Sequence, residues 1–215
     1  MATDAYEELR DAIVAGELEP GAPLRLVELA SSLEMSISPV REAIRLLETQ
    51  GLAEYAPYRG ARVTELKPAE MAEIYEVRAA LERTAIRRAA TRFDDLDRTA
   101  LESSLLALEE AYENDDVLAA VRANSAFHTA LAVASGSRWL QRLLSPLLEI
   151  SERYAASVGQ LGETREVEER GHRDIIKSLE SGDPDRAEKA LMKHLGVFED
   201  MFIEQFAREH ELDST

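Results

Sequence analysis

Three histidines and a small set of arginines carry most of the chemistry this sequence can offer. His128, His172 and His194 fall in long helical stretches, whereas His210 lies in the polar tail "REHELDST", where it is expected to be exposed. Asn124 precedes His128 by four residues, so the two share a helix face. Ile175, Ile176 and Leu179 follow His172, and Leu191, Leu195 and Phe198 surround His194, which sets both imidazoles at the margin of an apolar face. Neutral imidazoles brought together in a bundle suit zinc, or another borderline divalent ion such as nickel, and Asn124 could add an oxygen. Spacing alone favours the plainer alternative of three unrelated histidines, each hydrogen-bonded at a core edge, because three helices must converge to bring them together. A metal-dependent hydrolase or lyase is a further alternative. It lacks an HExxH pairing and an evident general base beside the histidines.

The arginines mark a second site. In "ELASSLEMSISPVREAIRLLETQGL" (28–52), Leu29, Ala30 and Leu33 sit at helical spacing, a polar break follows, and Val40, Ala43, Ile44 and Leu47 form a second series. Two short helices so close together have the form of a helix-turn-helix, whose second helix enters the major groove N-terminus first. Ser36, Ser38, Pro39, Val40 and Arg41 occupy that end. Arg41 is placed for a guanine edge or a phosphate, and Arg45, one turn on, for a phosphate. Arg59 and Arg62, from a β-wing, are placed for backbone or minor groove. Equally open on periodicity is a small helical domain whose arginines are merely solvated.

These elements need positioning. Helices are predicted at 4–15, 26–34 and 38–50, with Ser38 as N-cap and Pro39 in the first turn. Short strands at 52–55 and 61–64 flank a loop with Arg59 at its tip. Residues 67–70 ("KPAE") read as a linker. Helices follow near 69–92, 94–113, 115–135, 137–159, 164–181 and 184–209, with breaks at Asp94-Asp95, Asn114-Asp115, Gly136, Gly159/Gly162 and "SGDP" (181–184). The fold is thus mainly α: a winged helix-turn-helix over 1–66 and an all-α antiparallel helical bundle over 71–215. Trp139 is expected in the core, and "ETREVEERG" (163–171) as a solvated helix face.

Composition bounds the function. The net charge is −17, which argues against general affinity for nucleic acid. Within 36–62, however, Arg41, Arg45, Arg59 and Arg62 face only Glu42, Glu48 and Glu54, so any DNA contact is local and salt-sensitive. There is no cysteine, which excludes disulfides and thiolate chemistry. No apolar run approaches the roughly 20 residues of a membrane span, and the acidic amphipathic N-terminus is unlike a signal peptide. A cytoplasmic protein that does not engage membranes is expected.

The stretch "AIVAGELEPGAPL…ELASSLEMSISPVREAIRLLETQGL…RGARV", over 5–66, resembles the winged helix-turn-helix of GntR-type bacterial transcription regulators. Ile13–Gly16, Pro20-Gly21, Leu29-Ala30, Pro39–Ala43, Gly51-Leu52 and Arg59-Gly60 carry the likeness. Residue 37 departs from it: an arginine is usual there, and this chain has Ile37, so a common DNA contact is missing. Residues 70–206 resemble the helical FCD ligand-binding domain of the FadR subfamily, through "EIYEVRAALERTAIRRAA", "NSAFHTALAVASG" and "GHRDIIKSLESGDPDRAEKALMKHL". The resemblance implies a homodimeric regulator, most often a repressor, on a pseudo-palindromic operator. It also implies a metal held by Asn124, His128, His172 and His194, and a small carboxylate effector gripped by the metal and by Arg78. Asparagine at 124 stands where aspartate is usual, which should weaken the metal but strengthen the pull on an anion. For Arg78 the plain alternative is a surface ion pair with Glu82, four residues on. Some relatives bind larger acyl ligands without a metal, which is the alternative mode of sensing.

Overall fold

A computed structural model describes residues 2–56, 60–159 and 165–212. Arg59 and Gly162, and the side chain of His210, lie outside the described residues. Contacts divide the chain into two units, Met1–Leu66 and Lys67–Thr215.

The first unit is built from α1 (Ala2–Val14), α2 (Leu26–Ser32), α3 (Ile37–Thr49), β1 (Ala53–Ala56) and β2 (Gly60–Val63). Ala5, Leu9 and Ile13, one turn apart on α1, pack with Val40, Ala43, Ile44 and Leu47 of α3 and with Leu52, Ala61 and Val63 of the hairpin. The strands pair antiparallel with Ala53 opposite Val63 and Glu54 opposite Arg62. The start of α3 differs from expectation. Ser36, not Ser38, is the extended N-cap residue, and its hydroxyl makes no capping bond. Pro39 is therefore the third helical residue, still within the first turn, where the missing N–H has no intrahelical acceptor to lose.

The second unit contains α4 (Pro68–Ala90), α5 (Asp95–Glu113), α6 (Val117–Ala134), α7 (Arg138–Gly159), α8 (Arg165–Glu180) and α9 (Pro184–Leu212). Pro68–Glu70, read as linker, form the first turn of α4, with proline at its N-terminus where it is tolerated. The breaks have local causes. Asp94 accepts from the Leu96 and Asp97 amides at 2.9 Å each, and Asp97 returns the bond, which makes a capping box. Asp115 takes a left-handed φ of 53°, so α6 starts only at Val117, capped by Asp116, and not at 115. Asp183 accepts from the Asp185 and Arg186 amides and caps α9 behind Gly182, whose φ is +67°.

Helix α4 lies at the centre and packs against α6, α7, α8 and α9. Its buried stripe runs Met71, Ile74, Tyr75, Arg78, Glu82, Ala85, Ile86 and Ala89, so two charged residues sit in the middle of an apolar face. Helix α6 has the length and apolarity of a membrane span. Its Val121, Phe127 and Leu131 are instead buried in the bundle, between α5 and α7. Trp139 is not core: it is 68% exposed. Leu140, Leu144 and Leu148, at four-residue spacing, turn the buried face of α7 inward and leave Trp139 outside, beneath the Arg142 guanidinium.

Candidate metal centre and nucleic-acid interface

Helices α6, α8 and α9 bring His128, His172 and His194 together, with one ligating nitrogen of each within 4.8 Å of the others. The His172 and His194 ring centres are 4.3 Å apart, and that of His128 lies 5.7 Å from His172 and 5.5 Å from His194. Four-residue and longer helical spacing placed each on an inward face, and the crossing of three helices did the rest. His128 and His172 are buried; His194 is partly open. Phe127 closes against His172 at 4.4 Å.

The polar atoms here are poorly satisfied. Neither ring nitrogen of His172 makes a hydrogen bond, and the buried Oδ1 of Asn124 has no partner. Buried polar atoms without partners cost about 1–3 kcal/mol each, so the His172 nitrogens and the Asn124 Oδ1, one turn before His128 on α6, call for an ion or water to satisfy them. A donor set of three nitrogens and one amide oxygen fits a borderline divalent ion. Burial, then repulsion by His194 and His128, pushes the His172 imidazole well below its ordinary range. Burial and His128 hold His194 down at about 3. Both are therefore neutral with free lone pairs at neutral pH, the form that binds a metal.

The Arg78 guanidinium is buried, and its Nε donates to Glu82 Oε1 at 3.0 Å. The ion pair with Glu82 that the sequence allowed does form, but buried inside the bundle and not on the surface. Glu82 Oε2 lies 2.6 Å from His128 Nδ1. Burial favours the neutral carboxyl of Glu82, but His128 and Arg78 outweigh it and hold the group at about 2. Glu168, from the run read as a solvated face, accepts a 2.7 Å bond from the Tyr112 hydroxyl, and burial raises its carboxyl. One turn before His172, it shares that residue's inward face. Sequence reasoning placed Glu82 only in a surface pair with Arg78 and read Glu168 as part of a solvated face, so it missed both as carboxylates of the bundle interior. For Glu82 a signal existed: it continues the apolar stripe of α4.

A cleft of about 100 Å³ adjoins the centre, lined by Glu168, Gly171, Asp174, Lys193, His194 and neighbours. Gly171 lets the histidine approach, since a Cβ there would stand 2.5 Å from His194 Nδ1. Gly171→Ala should thus act in two directions. Alanine favours a helix interior by about 0.5–1 kcal/mol, but the clash with the His194 ring opposes that gain, so the metal-free protein should change little in stability. Displacing His194 should weaken zinc about tenfold, an outer-shell magnitude. Unchanged zinc affinity by chelator competition would show that His194 does not need this approach.

In the first unit Ser36, Ser38, Arg41 and Arg45 are exposed along the start of α3, and Pro39 is half-buried. Arg41 has no carboxylate partner among the described residues, whereas Arg45 pairs with Glu42 at 3.0 Å. Val40 is corrected from contact residue to core. It has no exposed surface and supports α3 from beneath. Arg62 is tied across the hairpin to Glu54 at 2.7 Å, beside the exposed Gly60.

Comparison with known proteins agrees with this architecture. Residues 1–63 match the bacterial regulatory proteins of the gntR family, and residues 73–197 match the FCD domain. A probable D-xylose utilization operon transcriptional repressor of Paenarthrobacter nicotinovorans is 33% identical over 91% of this chain and 88% of its own. The transcriptional repressor GlaR of Escherichia coli is 26% identical over 89% and 91%. Among solved structures, Escherichia coli McbR/YncC superposes with a TM-score of 0.81 at 24% identity, covering 95% of this chain and 98% of that one.

Proposed function

Because the chain belongs to the GntR family of bacterial regulatory proteins and carries an FCD domain, a DNA-binding transcription regulator and not an enzyme, we propose that it is a homodimeric repressor that senses a small organic acid through a metal-containing helical domain. The observation that carries the sensing half is the convergence of His128, His172 and His194; the unpartnered Oδ1 of Asn124, one turn before His128 on α6, supports it. Asn124 and the three histidines would hold zinc, with nickel as the other candidate. The bound ion would supply a Lewis-acidic position for an effector carboxylate. Arg78, fixed one side by Glu82, would add a second cation for that anion. The adjoining cleft of about 100 Å³ suits an acid of a few carbon atoms better than an acyl chain. Regulation then requires that the effector bind two arrangements of the protein with different affinity.

For DNA, Ser36, Ser38 and Arg41 at the exposed start of α3 would reach base edges of a pseudo-palindromic operator. Arg45 would reach phosphate, with Arg59, Gly60 and Arg62 contributing from the wing. Val40 would act only by holding the helix. Arg41→Ala should lower operator affinity about 5- to 150-fold, the worth of roughly 1–3 kcal/mol. If Arg41 meets phosphate, the salt slope should fall by about one as well. Fluorescence anisotropy on the protein's own promoter region, across a salt series, tests this. No selective binding by the wild type at low salt would reject the DNA reading.

Elemental mass spectrometry of untagged protein tests the sensor. The expected result is close to one zinc or nickel per chain, lost in His128→Ala/His172→Ala. No metal after incubation with zinc would reject the metal and turn attention to a ligand held chiefly by Arg78.

A further inference from the structure

Glu82 stands at the junction of the two features just described, and it has one carboxylate to serve both. Oε1 accepts from Arg78 Nε at 3.0 Å, and Oε2 meets His128 Nδ1 at 2.6 Å. All three side chains are at most 2% exposed, so no solvent substitutes for either bond. We propose that Glu82 is a positioning residue that fixes the proton of His128 on Nδ1, leaves Nε2 as the metal ligand, and links the metal to Arg78. This inference rests on the metal reading above.

The reasoning is a count of donors and acceptors. A guanidinium can only donate, and an ionised carboxylate can only accept. Opposite Glu82 Oε2, His128 Nδ1 must therefore carry a proton. In a neutral imidazole the other nitrogen, Nε2, then holds the lone pair. A carboxylate on the far nitrogen of a metal-ligating histidine orients the ring and raises its basicity. Here that carboxylate comes from α4, 46 residues away in sequence, and its second oxygen is committed to the arginine that would meet an anion. Metal at His128 and anion at Arg78 thus draw on the same group, and each must alter the other's affinity by the same factor.

An amide cannot replace this carboxylate. In Glu82→Gln the side-chain oxygen must face Arg78, since an NH2 group there would oppose a donor. The NH2 group then faces His128 Nδ1 and requires its lone pair, which puts the proton on Nε2 and blocks coordination. Removing the arginine releases the constraint: in Arg78→Met/Glu82→Gln the amide can turn its oxygen to His128 and restore the Nδ1 proton. A residue that served packing alone would not be rescued by deleting its partner.

The test uses zinc alone on the full chain. Zinc affinity is measured by chelator competition for the wild type, Glu82→Gln and the double variant. Nitrogen-15 NMR of the zinc-loaded wild type reports which ring nitrogen of His128 is coordinated and which is protonated. The expected results are Nε2 coordination with the proton on Nδ1, a 10- to 100-fold loss in Glu82→Gln, and recovery of most of that loss in the double variant. If Glu82→Gln does not fold, the wild-type spectrum and the double variant still decide. Coordination through Nδ1, or a double variant that binds zinc far more weakly than the wild type, overturns the role of Glu82 while leaving the metal centre standing. Failure of the wild type to bind zinc overturns both.

Discussion

Arg78→Met should destabilise the protein by about 3–5 kcal/mol, the usual cost of leaving one partner of a buried ion pair without the other. Methionine matches the stem of arginine well enough that packing is not the main loss. What remains is the Glu82 carboxylate, fully buried, with only His128 to compensate. Arg78→Met/Glu82→Leu should recover much of the stability, because an apolar pair of similar volume often replaces a buried ion pair at little cost. It should not recover all of it, since His128 Nδ1 then lacks its partner. Urea unfolding of the metal-free proteins reads both effects. A loss under about 1 kcal/mol in the single variant would mean that Glu82 is solvated or readily protonated in place, contrary to the burial seen here.

The second large effect is on pH. In the metal-free protein His172 and His194 resist protonation, through burial and the neighbouring imidazoles. An unfolded imidazole titrates near 6.5. The unfolded chain therefore takes up protons first, and stability falls as pH drops below that value. It is fully present above it. Each histidine contributes a slope of up to about 1.4 kcal/mol per pH unit, so the two together should remove roughly 4 kcal/mol between pH 6.5 and 5. Exposure of His194 to the cleft makes this an upper bound. Glu82 acts in the same sense lower down: held at about 2 in the folded state, it loses its contribution as pH falls below the ordinary glutamate range. His172→Ala should remove about half of the slope between 6.5 and 5. A metal-free stability profile flat across that range would show that both imidazoles charge freely in the native state.

Much of the fold was legible because its signals are local. Periodicity placed the helices, and Asp94, Gly136, Asp183 and Pro184 ended or began them where capping chemistry requires. The same signals misplaced starts by a residue or two at Ser36 and Asp115, where residues of cap type stand within one turn of each other. Side-chain direction was less secure. Trp139 looked apolar enough for the core, but it stands one residue ahead of the inward leucine series of α7 and so faces out. Val40 lies near the start of α3 among residues suited to DNA, yet it completes the inward series with Ala43, Ile44 and Leu47.

By itself, then, the sequence determined a winged helix-turn-helix followed by a helical bundle, the basic start of α3, and three histidines within the helices of the bundle, two of them at the margin of an apolar face. Those follow from patterns that span a turn or two of chain. Only the tertiary structure decided that the three imidazoles meet, that the Asn124 Oδ1 and the His172 ring nitrogens have no hydrogen-bond partner, and that Glu82 joins Arg78 to His128. Such pairings depend on how α4, α6, α8 and α9 cross. A buried charge is tolerated only where another chain segment supplies its complement, and no spacing within one helix reveals which distant residue that will be.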